Sequence, residues 1–447
     1  MIDLVQLRRE PEVVKAALAR RGVSAATMDE LLALDVEHRR LLQETEGLRA
    51  EVNDLSRQVG EAHRNKDATT ANELTEKSRA LGDREREVSG ATDATGGALR
   101  EMLLMIPNLP APDVPDGLDD NYNVELRRWW LDMDRGASLP TYDVHQRVPH
   151  WDIGLELGIL DLEAGVKLAG SMFPLYRGAG ARLLRALGFF ALDRHTGDYE
   201  EIRPPTFALT ETMMSTGHLP KSVDDMYAIE RDGLWAIPTA EVPLTSMHRD
   251  EILDEAKLPI RFTAQTACFR REAGAAGRDT RGLLRVHEFD KVELFNYCTP
   301  DQADDAFADV LARAEGVLRA LGLTYRVLLL CTGDLGTSAA RTLDLEVFSP
   351  GVDRWLEVSS VSWFGDFQAR RANVRYRTVD GSTALVHTVN GSALAWGRVW
   401  AALVETNRQP DGSVILPEVL APYMGGQTTI PTRPAWSRIG NRRRAPW

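Results

Sequence analysis

The chain has few cysteines and no long hydrophobic run. Only Cys268, Cys298 and Cys331 occur among 447 residues, and none has CxxC spacing, which argues against a disulfide framework and a cysteine-based zinc site. No apolar stretch is long enough to span a bilayer. The N-terminus is charged and lacks the apolar segment and cleavage site of a signal peptide. These absences predict a cytoplasmic protein with reduced thiols and no membrane partner.

Basic residues are outnumbered by acidic ones. The formal net charge of -13 at pH 7 disfavours a nonspecific nucleic-acid binder, because phosphate contacts need lysine and arginine. An acidic total can still contain a basic stripe, so the charge neither proves nor excludes a nucleic-acid partner. The length suggests more than one domain.

The N-terminal quarter carries two runs of apolar residues that recur every seven positions, Leu34 to Leu55 and Leu74 to Met102. Residues 1–24 are typical of a short helix, and the polar segment 60–70 between the two runs is typical of a turn. This pattern predicts an antiparallel coiled-coil hairpin, in which a helix of about 30 residues projects roughly 45 Å. Four prolines in the segment 107–115 then end the helical region.

The predicted arm has two interpretations. It could be a probe that reaches a large partner, or a helix pair that makes an oligomer. Four cations near its tip could contact a polyanion: Arg57, Arg64, Lys66 and Arg79.

The stretch from Cys268 to Tyr297 predicts two antiparallel strands joined by a loop rich in glycine and arginine. Arg270 and Glu272 stand two residues apart, which would place both on one face of a strand. Arginine is well suited to phosphate because of its planar fork of donors, and an aromatic ring such as Phe289 can cover a base. The pattern indicates a nucleotide site built on strands. The alternative is a solvated Arg/Glu surface that contributes little.

The ordered string FRREAG, GRDTRG and RVHEFDKVE in this stretch resembles motif 2 of the class II aminoacyl-tRNA synthetases, in its bacterial seryl-tRNA synthetase form. Residues 199–207 resemble motif 1, and TVNGSALAWGR at 388–398 resembles motif 3. The segment 235–244 resembles the TAE loop of the family, although a lone Thr-Ala-Glu triplet could equally cap a helix. The LEVSS segment at 356–360 resembles its Glu-x-x-Ser element.

The resemblance implies an α+β fold. An N-terminal antiparallel α-helical coiled-coil arm would be followed by a class II synthetase catalytic domain, an antiparallel sheet flanked by helices. The implied domains are an N-terminal tRNA-binding domain at 1–110, a linker at 111–123, the catalytic domain at 124–430 and a basic tail at 431–447. In this family the arm grips the long variable arm of the tRNA, which decides between its two interpretations. Motif 1 implies a homodimer.

The resemblance also implies the activity of a serine-tRNA ligase. ATP would activate L-serine as seryl-adenylate, and the seryl group would pass to the 3′ end of tRNA(Ser), with tRNA(Sec) as a further family substrate. ATP and Mg²⁺ are the expected cofactors, and no zinc is expected. Arg270 would hold the α-phosphate, Glu272 the adenine amino group, and Phe289 and Arg398 the two faces of the adenine ring.

The residues that match the family's motifs form four sets. The catalytic set is Arg270, Glu272 and Arg398. The serine set is Thr239, Glu241, Glu293 and Ser392. The ATP set is Arg270, Arg271, Glu272, Val286, Phe289, Glu357, Val358, Ser359, Ser360 and Arg398. The Mg²⁺ set is Glu357 and Ser360.

Three features depart from the family pattern. Glu288 stands where the family usually has glutamine, Trp363 is bulkier than expected, and the Trp129-Trp130 pair suggests core packing or an interface. Glu288 and Trp363, together with Trp396, leave open a serine-activating paralogue with a biosynthetic or self-resistance role. A catalytically dead tRNA-binding protein would have lost Arg270 or Glu293, and both are present.

Overall fold

The computed structural model describes residues 1–273 and 281–432, in two compact units, Met1–Pro107 and Asn108–Trp447. The central part of the predicted nucleotide loop, with Gly274, Gly277 and Arg278, and the tail from residue 433 lie outside the described residues. The helices are α1 Leu4–Arg9, α2 Pro11–Ala19, α3 Ala25–Arg64, α4 Ala68–Met105, α5 His150–Leu157, α6 Leu162–Ala169, α7 Ala179–Asp193, α8 Thr210–Thr216, α9 Glu241–Ser246, α10 Ala303–Ala320, α11 Phe367–Ala372 and α12 Trp396–Thr406.

The first unit is built on the long antiparallel helices α3 and α4, which confirms the predicted arm. The connection between them is shorter than the polar segment 60–70 suggested, because α3 continues to Arg64 and α4 begins at Ala68. The Asp67 carboxylate accepts from the backbone N–H of Thr70 and so caps α4. The 40 residues of α3 extend about 60 Å at the usual rise, further than predicted.

The core of the arm follows the seven-residue pattern but contains a polar layer. Leu41 and Val88 are buried, and between them the hydroxyls of Thr45 and Thr92 lie 2.9 Å apart. Pairing satisfies both buried hydroxyls. The interruption of the heptad at Thr45 is therefore accommodated by a matching threonine on the opposite helix.

The strands of the second unit are β1 Val124–Trp129, β2 Glu200–Glu201, β3 Phe207–Leu209, β4 Ala228–Ile229, β5 Leu234–Ala236, β6 Ile252–Asp254, β7 Ile260–Phe269, β8 Glu288–Cys298, β9 Tyr325–Leu329, β10 Arg341–Ser349, β11 Arg354–Gly365, β12 Arg375–Arg377, β13 Thr383–Leu385, β14 His387–Ala395, β15 Val414–Ile415 and β16 Thr429–Ile430. Eight of them form one sheet with the order β1-β9-β10-β11-β14-β8-β7-β2. Its neighbouring strands are antiparallel except for the parallel pair β2 and β7.

Helices α7, α10 and α12 pack on this sheet and share one apolar core with it. Trp400 of α12 is fully buried and donates its indole N–H to the carbonyl of Gly180 at 3.2 Å. Gly188 permits the close approach of α7 and α12, because a Cβ there would lie 1.8 Å from the Trp396 ring. This packing fixes the position of motif 3, whose last residues, Trp396 to Arg398, begin α12.

The segment predicted as a linker, 111–123, packs within the second unit. Just before it, the Asn108 side chain donates to the carbonyls of Ser338 and Phe364 at 2.9 and 2.8 Å, and Ala111 and Val114 are buried. These contacts hold the proline-rich segment against the sheet region.

The tryptophan pair that follows serves local packing. Trp129 stacks on Tyr325 with ring centroids 5.6 Å apart, and Trp130 donates to the carbonyl of Ala137 at 2.8 Å. Within residues 1–273 and 281–432, no helix has the length and apolar character needed to cross a membrane.

Candidate active site

A cavity of about 360 Å³ opens where β8, β11 and β14 meet the segment before α9 and the start of α12. It brings together every residue of the predicted catalytic, serine and Mg²⁺ sets, and the ATP set except Arg271. Arg271 points elsewhere, since its side chain donates to the carbonyl of Asp224 at 3.3 Å. Thus residues that lie up to 160 positions apart in the chain form one site.

One end of the cavity is a buried polar pocket formed by the predicted serine residues. Glu293 of β8 lies directly opposite Ser392 of β14, and both are buried. Glu293 accepts from the Thr239 hydroxyl at 3.0 Å and from the Asn390 amide at 3.1 Å. A fully buried carboxylate with these donors can still accept from a small substrate, because its two oxygens offer about four lone-pair positions.

Glu241 forms the second carboxylate of this pocket. It accepts from the Gln368 amide at 2.6 Å, and Gln368 is fixed in turn by the Thr388 hydroxyl at 2.7 Å. Burial, followed by the nearby Glu293, raises the pKa of Glu241 to about 7. The Thr239 hydroxyl also accepts from the backbone N–H of Glu241 at 3.2 Å. Thr239 therefore supports the chain locally and also lines the pocket, but it does not cap α9, whose N-cap residue is Ala240.

Lys291 also lines this pocket, although the motif resemblance did not single it out. Its buried ammonium donates to the Thr239 hydroxyl at 2.7 Å and forms an ion pair with Glu293. The signal was present in the sequence, because alternate residues of a strand share one face. Lys291 and Glu293 stand two apart within the DKVE string of β8.

The other end of the cavity carries the predicted nucleotide residues. The expectation that strand alternation aligns Arg270 and Glu272 is wrong, because β7 ends at Phe269 and Glu272 adopts a φ of +51°. The guanidinium of Arg270 lies 5.2 Å from the centroid of the Phe289 ring. Glu272 forms an ion pair with Arg285. Val286 lines the cavity just before β8 begins.

Arg398 lies between the motif 2 segment and the Glu-x-x-Ser element. Its side chain donates to the carbonyl of Leu284 at 3.1 Å and to that of Glu357 at 2.7 Å. The Glu357 carboxylate is 3.5 Å from the same guanidinium. Motif 3 therefore connects the two segments that line the nucleotide end, whereas the guanidinium over the Phe289 ring is that of Arg270.

The predicted Mg²⁺ residues have a third oxygen donor beside them. Asp344 of β10 lies opposite Ser360 of β11 and bonds to its hydroxyl, while its Oδ1 is buried without a hydrogen-bond partner. Burial and the nearby Glu357 raise the pKa of Asp344 well above its usual value. Two carboxylates, one of which has an unsatisfied buried oxygen, and a hydroxyl are suited to a hard cation such as Mg²⁺. The described residues contain no cluster of three or more His, Cys, Asp or Glu side chains of the kind that holds a metal ion.

Trp363 and Glu288, which depart from the family pattern, differ in how far the structure explains them. Trp363 is half-buried, lies 5.7 Å from the Arg341 guanidinium, and donates to the His387 ring at 3.4 Å. Glu288 is exposed at the first position of β8, and nothing in the structure explains its identity. Trp363 thus fills a packing role, which weakens the argument for a specialised paralogue.

The cations at the tip of the arm have exposed side chains. Arg57 pairs with Asp54 on its own helix, a partner that the sequence pattern did not suggest. Lys66 lies in the connection between α3 and α4 with a φ of +58°.

Comparison with known proteins supports the same two-part organisation. The model of the seryl-tRNA synthetase N-terminal domain matches residues 1–110, and that of the tRNA synthetase class II core domain (G, H, P, S and T) matches 227–407. A serine-tRNA ligase from Thermomicrobium roseum is 46% identical over 450 residues, which cover 100% of this chain and 98% of that protein. The chain belongs to the seryl-tRNA synthetase family. A family member from Pelotomaculum thermopropionicum is 47% identical, with coverage of 96% of this chain and 100% of that protein.

Solved structures of the family have the same fold. The seryl-tRNA synthetase of Pyrococcus horikoshii, complexed with ATP, has a TM-score of 0.87 and 34% identity, and the match covers 97% of this chain and 100% of that one. The cytoplasmic serine-tRNA ligase of Naegleria fowleri, complexed with AMP, has a TM-score of 0.81 and 26% identity, over 95% and 96% of the two chains. The family resemblance and the fold class predicted from the sequence are confirmed.

Proposed function

We propose that this protein is a serine-tRNA ligase that activates L-serine with ATP and then charges tRNA(Ser). The observation that carries the proposal is the single cavity that joins two ends of different chemistry. One end is a buried pocket with the carboxylates of Glu241 and Glu293, and the other is an arginine-rich end with the Phe289 ring. Membership of the seryl-tRNA synthetase family supports the assignment.

In the first step an oxygen of the serine carboxylate attacks the α-phosphorus of ATP. The bond from that phosphorus to the bridging oxygen breaks, and pyrophosphate leaves. Arg270 lines the cavity at its nucleotide end, where its guanidinium can offset the charge on the α-phosphate in the transition state. The guanidinium of Arg270 lies 5.2 Å from the centroid of the Phe289 ring, so adenine on that ring would bring the α-phosphate within reach of the arginine. Glu272, which pairs with Arg285, would receive the adenine amino group.

Serine is selected by the buried acceptors of the pocket. The ammonium is received by the carboxylates of Glu241 and Glu293, and the hydroxyl lies between Glu293 and Ser392. An analogue without the hydroxyl, such as alanine, leaves buried polar groups without a partner, which is a strong basis for rejection. Threonine is excluded by its extra methyl group, a weaker discrimination in general.

Magnesium would be held by Glu357 and Ser360, with Asp344 as a further oxygen donor behind them. When bound it supplies positive charge to the phosphates of ATP. Asp344 holds the Ser360 hydroxyl, and Glu357 lies beside Arg398. These contacts keep the oxygen ligands and the arginine at one edge of the nucleotide end.

In the second step a ribose hydroxyl at the 3′ end of the tRNA attacks the carbonyl carbon of seryl-adenylate, and AMP leaves. The exposed cations of the arm, Arg57, Arg64, Lys66 and Arg79, are suited to backbone phosphates and offer few pockets for bases. We therefore propose that the arm recognises the shape of tRNA(Ser) through its long variable arm. Under this proposal, tRNA(Sec) is a further substrate of the protein.

A homodimer in the cytoplasm completes the proposal. Near motif 1, the apolar side chains of Phe189, Phe207 and Leu209 are 43%, 51% and 51% exposed. An apolar surface of this kind is suited to a second copy of the chain. Light scattering of the purified protein tests this, because a monomeric mass at micromolar concentration would contradict it.

The activity is tested by serine-dependent exchange of labelled pyrophosphate into ATP, followed by charging of tRNA(Ser). Exchange with serine and no charging would favour the paralogue, and exchange with a different amino acid would contradict the substrate assignment.

A further inference from the structure

The serine pocket contains a buried charge arrangement that the activity alone does not require. Two carboxylates, Glu241 and Glu293, lie in it, and the cation in contact with Glu293 is Lys291. Gln368 and Asn390 contribute neutral donors. Burying charge is costly unless it is balanced and hydrogen-bonded. One ammonium against two carboxylates leaves the pocket suited to one additional positive charge.

The hydrogen bonds of Thr239 give Lys291 a directing role. A hydroxyl has one proton to donate and two lone pairs to accept. The Thr239 oxygen accepts from Lys291 at 2.7 Å and from the backbone N–H of Glu241 at 3.2 Å. A lysine ammonium can only donate, so the Thr239 proton must point at Glu293, 3.0 Å away. Protein groups then occupy the donor and both acceptor positions of the Thr239 hydroxyl.

This arrangement separates the residues that bind serine from those that support them. Thr239 has no hydrogen-bonding capacity left for a substrate, although the TAE motif suggested that it contacts serine. Glu293 has one of its about four lone-pair positions left, on Oε1, because it receives Thr239 and Lys291 on Oε2 and Asn390 on Oε1. Besides the Ser392 hydroxyl, the acceptors left for a substrate are therefore on the carboxylates of Glu293 and Glu241.

We propose that Lys291 is a positioning and specificity residue for the amino-acid substrate. Its ammonium fixes the position of the Glu293 carboxylate and the direction of the Thr239 hydroxyl proton. Because it neutralises one of the two carboxylates, Glu241 and Glu293 together keep one negative charge, which the substrate ammonium balances. The inference rests on the proposed function and deepens it, since it adds a residue to the same pocket. It predicts that Lys291 affects serine far more than ATP.

A structural role alone makes a different prediction. Removing one partner of a buried ion pair leaves the other charge uncompensated and lowers stability in either case, so the melting temperature does not separate the two roles. A residue needed only for packing would impair the use of serine and ATP alike. The ratio between the two KM changes separates these roles.

The experiment compares wild type with Lys291→Met, Lys291→Gln and the control Lys257→Met in ATP–pyrophosphate exchange. Lys257 is exposed and does not line the cavity. Lys291→Met is expected to raise the KM for serine about 10- to 100-fold, the effect of losing hydrogen bonds to a charged group. The KM for ATP should stay close to that of the control, whereas the melting temperature should fall, because Glu293 is left buried without its cation. Lys291→Gln keeps an N–H donor for Thr239 without the charge, so its KM for serine should lie between those of Met and wild type.

A pH profile provides a readout that packing would not change. Lys291 lowers the pKa of Glu241, whereas burial and Glu293 raise it, and Gln368 and Asn390 donate to that carboxylate. When Lys291 is replaced, the KM for serine should begin to rise at a higher pH as the solution is acidified.

The outcomes are distinct. An unchanged KM for serine, equal rises for serine and ATP, or failure of both variants to fold would each overturn the role of Lys291. If wild type itself showed no serine-dependent exchange, the proposed function would fail instead.

Discussion

The pH dependence of serine binding gives the sharpest test of the pocket chemistry. Glu241 is buried near Glu293, and burial followed by this neighbour raises its pKa to about 7. A carboxylate accepts strongly from an ammonium only when it is ionised. Serine should therefore bind tightly at pH values above this pKa and progressively more weakly at pH values below it. For a single titration at pH 7, the KM for serine at pH 6 should be about ten times its value at pH 8.

The assay is ATP–pyrophosphate exchange with serine varied at saturating ATP, at half-unit steps between pH 6 and pH 8. Glu241→Gln is the matched variant, because its amide has nearly the same shape and does not titrate. Its KM for serine should be high and nearly flat over this range, while the KM for ATP should change little in either protein. A wild-type KM for serine that is flat between pH 6 and pH 8 would refute the reasoning.

Three further predictions test the nucleotide end, the arm and the core. Arg270→Ala should lower the rate of exchange by about 100-fold or more, as expected when a charge-stabilising donor is lost, and Arg271→Ala should cost much less; equal losses would contradict the geometry. Deleting residues 35–100 should spare serine-dependent exchange and remove tRNA charging, and charging that survives the deletion would refute the role of the arm. Gly188→Ala should lower the free energy of unfolding by about 1–3 kcal/mol, because the added methyl group crowds the Trp396 indole. Gly197→Ala is the control, since it has open space around it and should leave stability unchanged. Urea denaturation measures both, and equal stability of the two variants would contradict the packing.

Much of the fold followed from the sequence because its signals are local and periodic. The seven-residue repeat predicted the coiled-coil arm, and the structure confirms it as α3 and α4. The length of the arm was underestimated, because polar residues near 60–70 look like a turn although they remain helical on a solvated surface. Only residues 65–67 leave the helix, and the cap at Asp67 was the available clue.

The candidate site was predicted mainly through motif resemblance. Strand register explains why Glu293 and Ser392 meet, since they are paired across β8 and β14 although nearly 100 residues separate them. Local sequence does not reveal this pairing. The alternation argument for Arg270 and Glu272 was wrong because the strand ends at Phe269, and a strand end is poorly marked in sequence.

The residues missed were those whose role depends on burial. Lys291 stands in a charged string that could equally be a solvated face, and only the structure shows it buried against Thr239 and Glu293. Asp344 has no motif of its own, and its position opposite Ser360 depends on the pairing of β10 with β11. Tertiary packing, rather than residue type, makes each of them part of the site.

The central claim is tested most directly by ATP–pyrophosphate exchange with the purified protein, with serine, alanine and threonine offered separately at equal concentrations. The account predicts exchange with serine, almost none with alanine, and weak exchange at most with threonine. Exchange that is as fast with alanine as with serine, or that requires another amino acid, would contradict it.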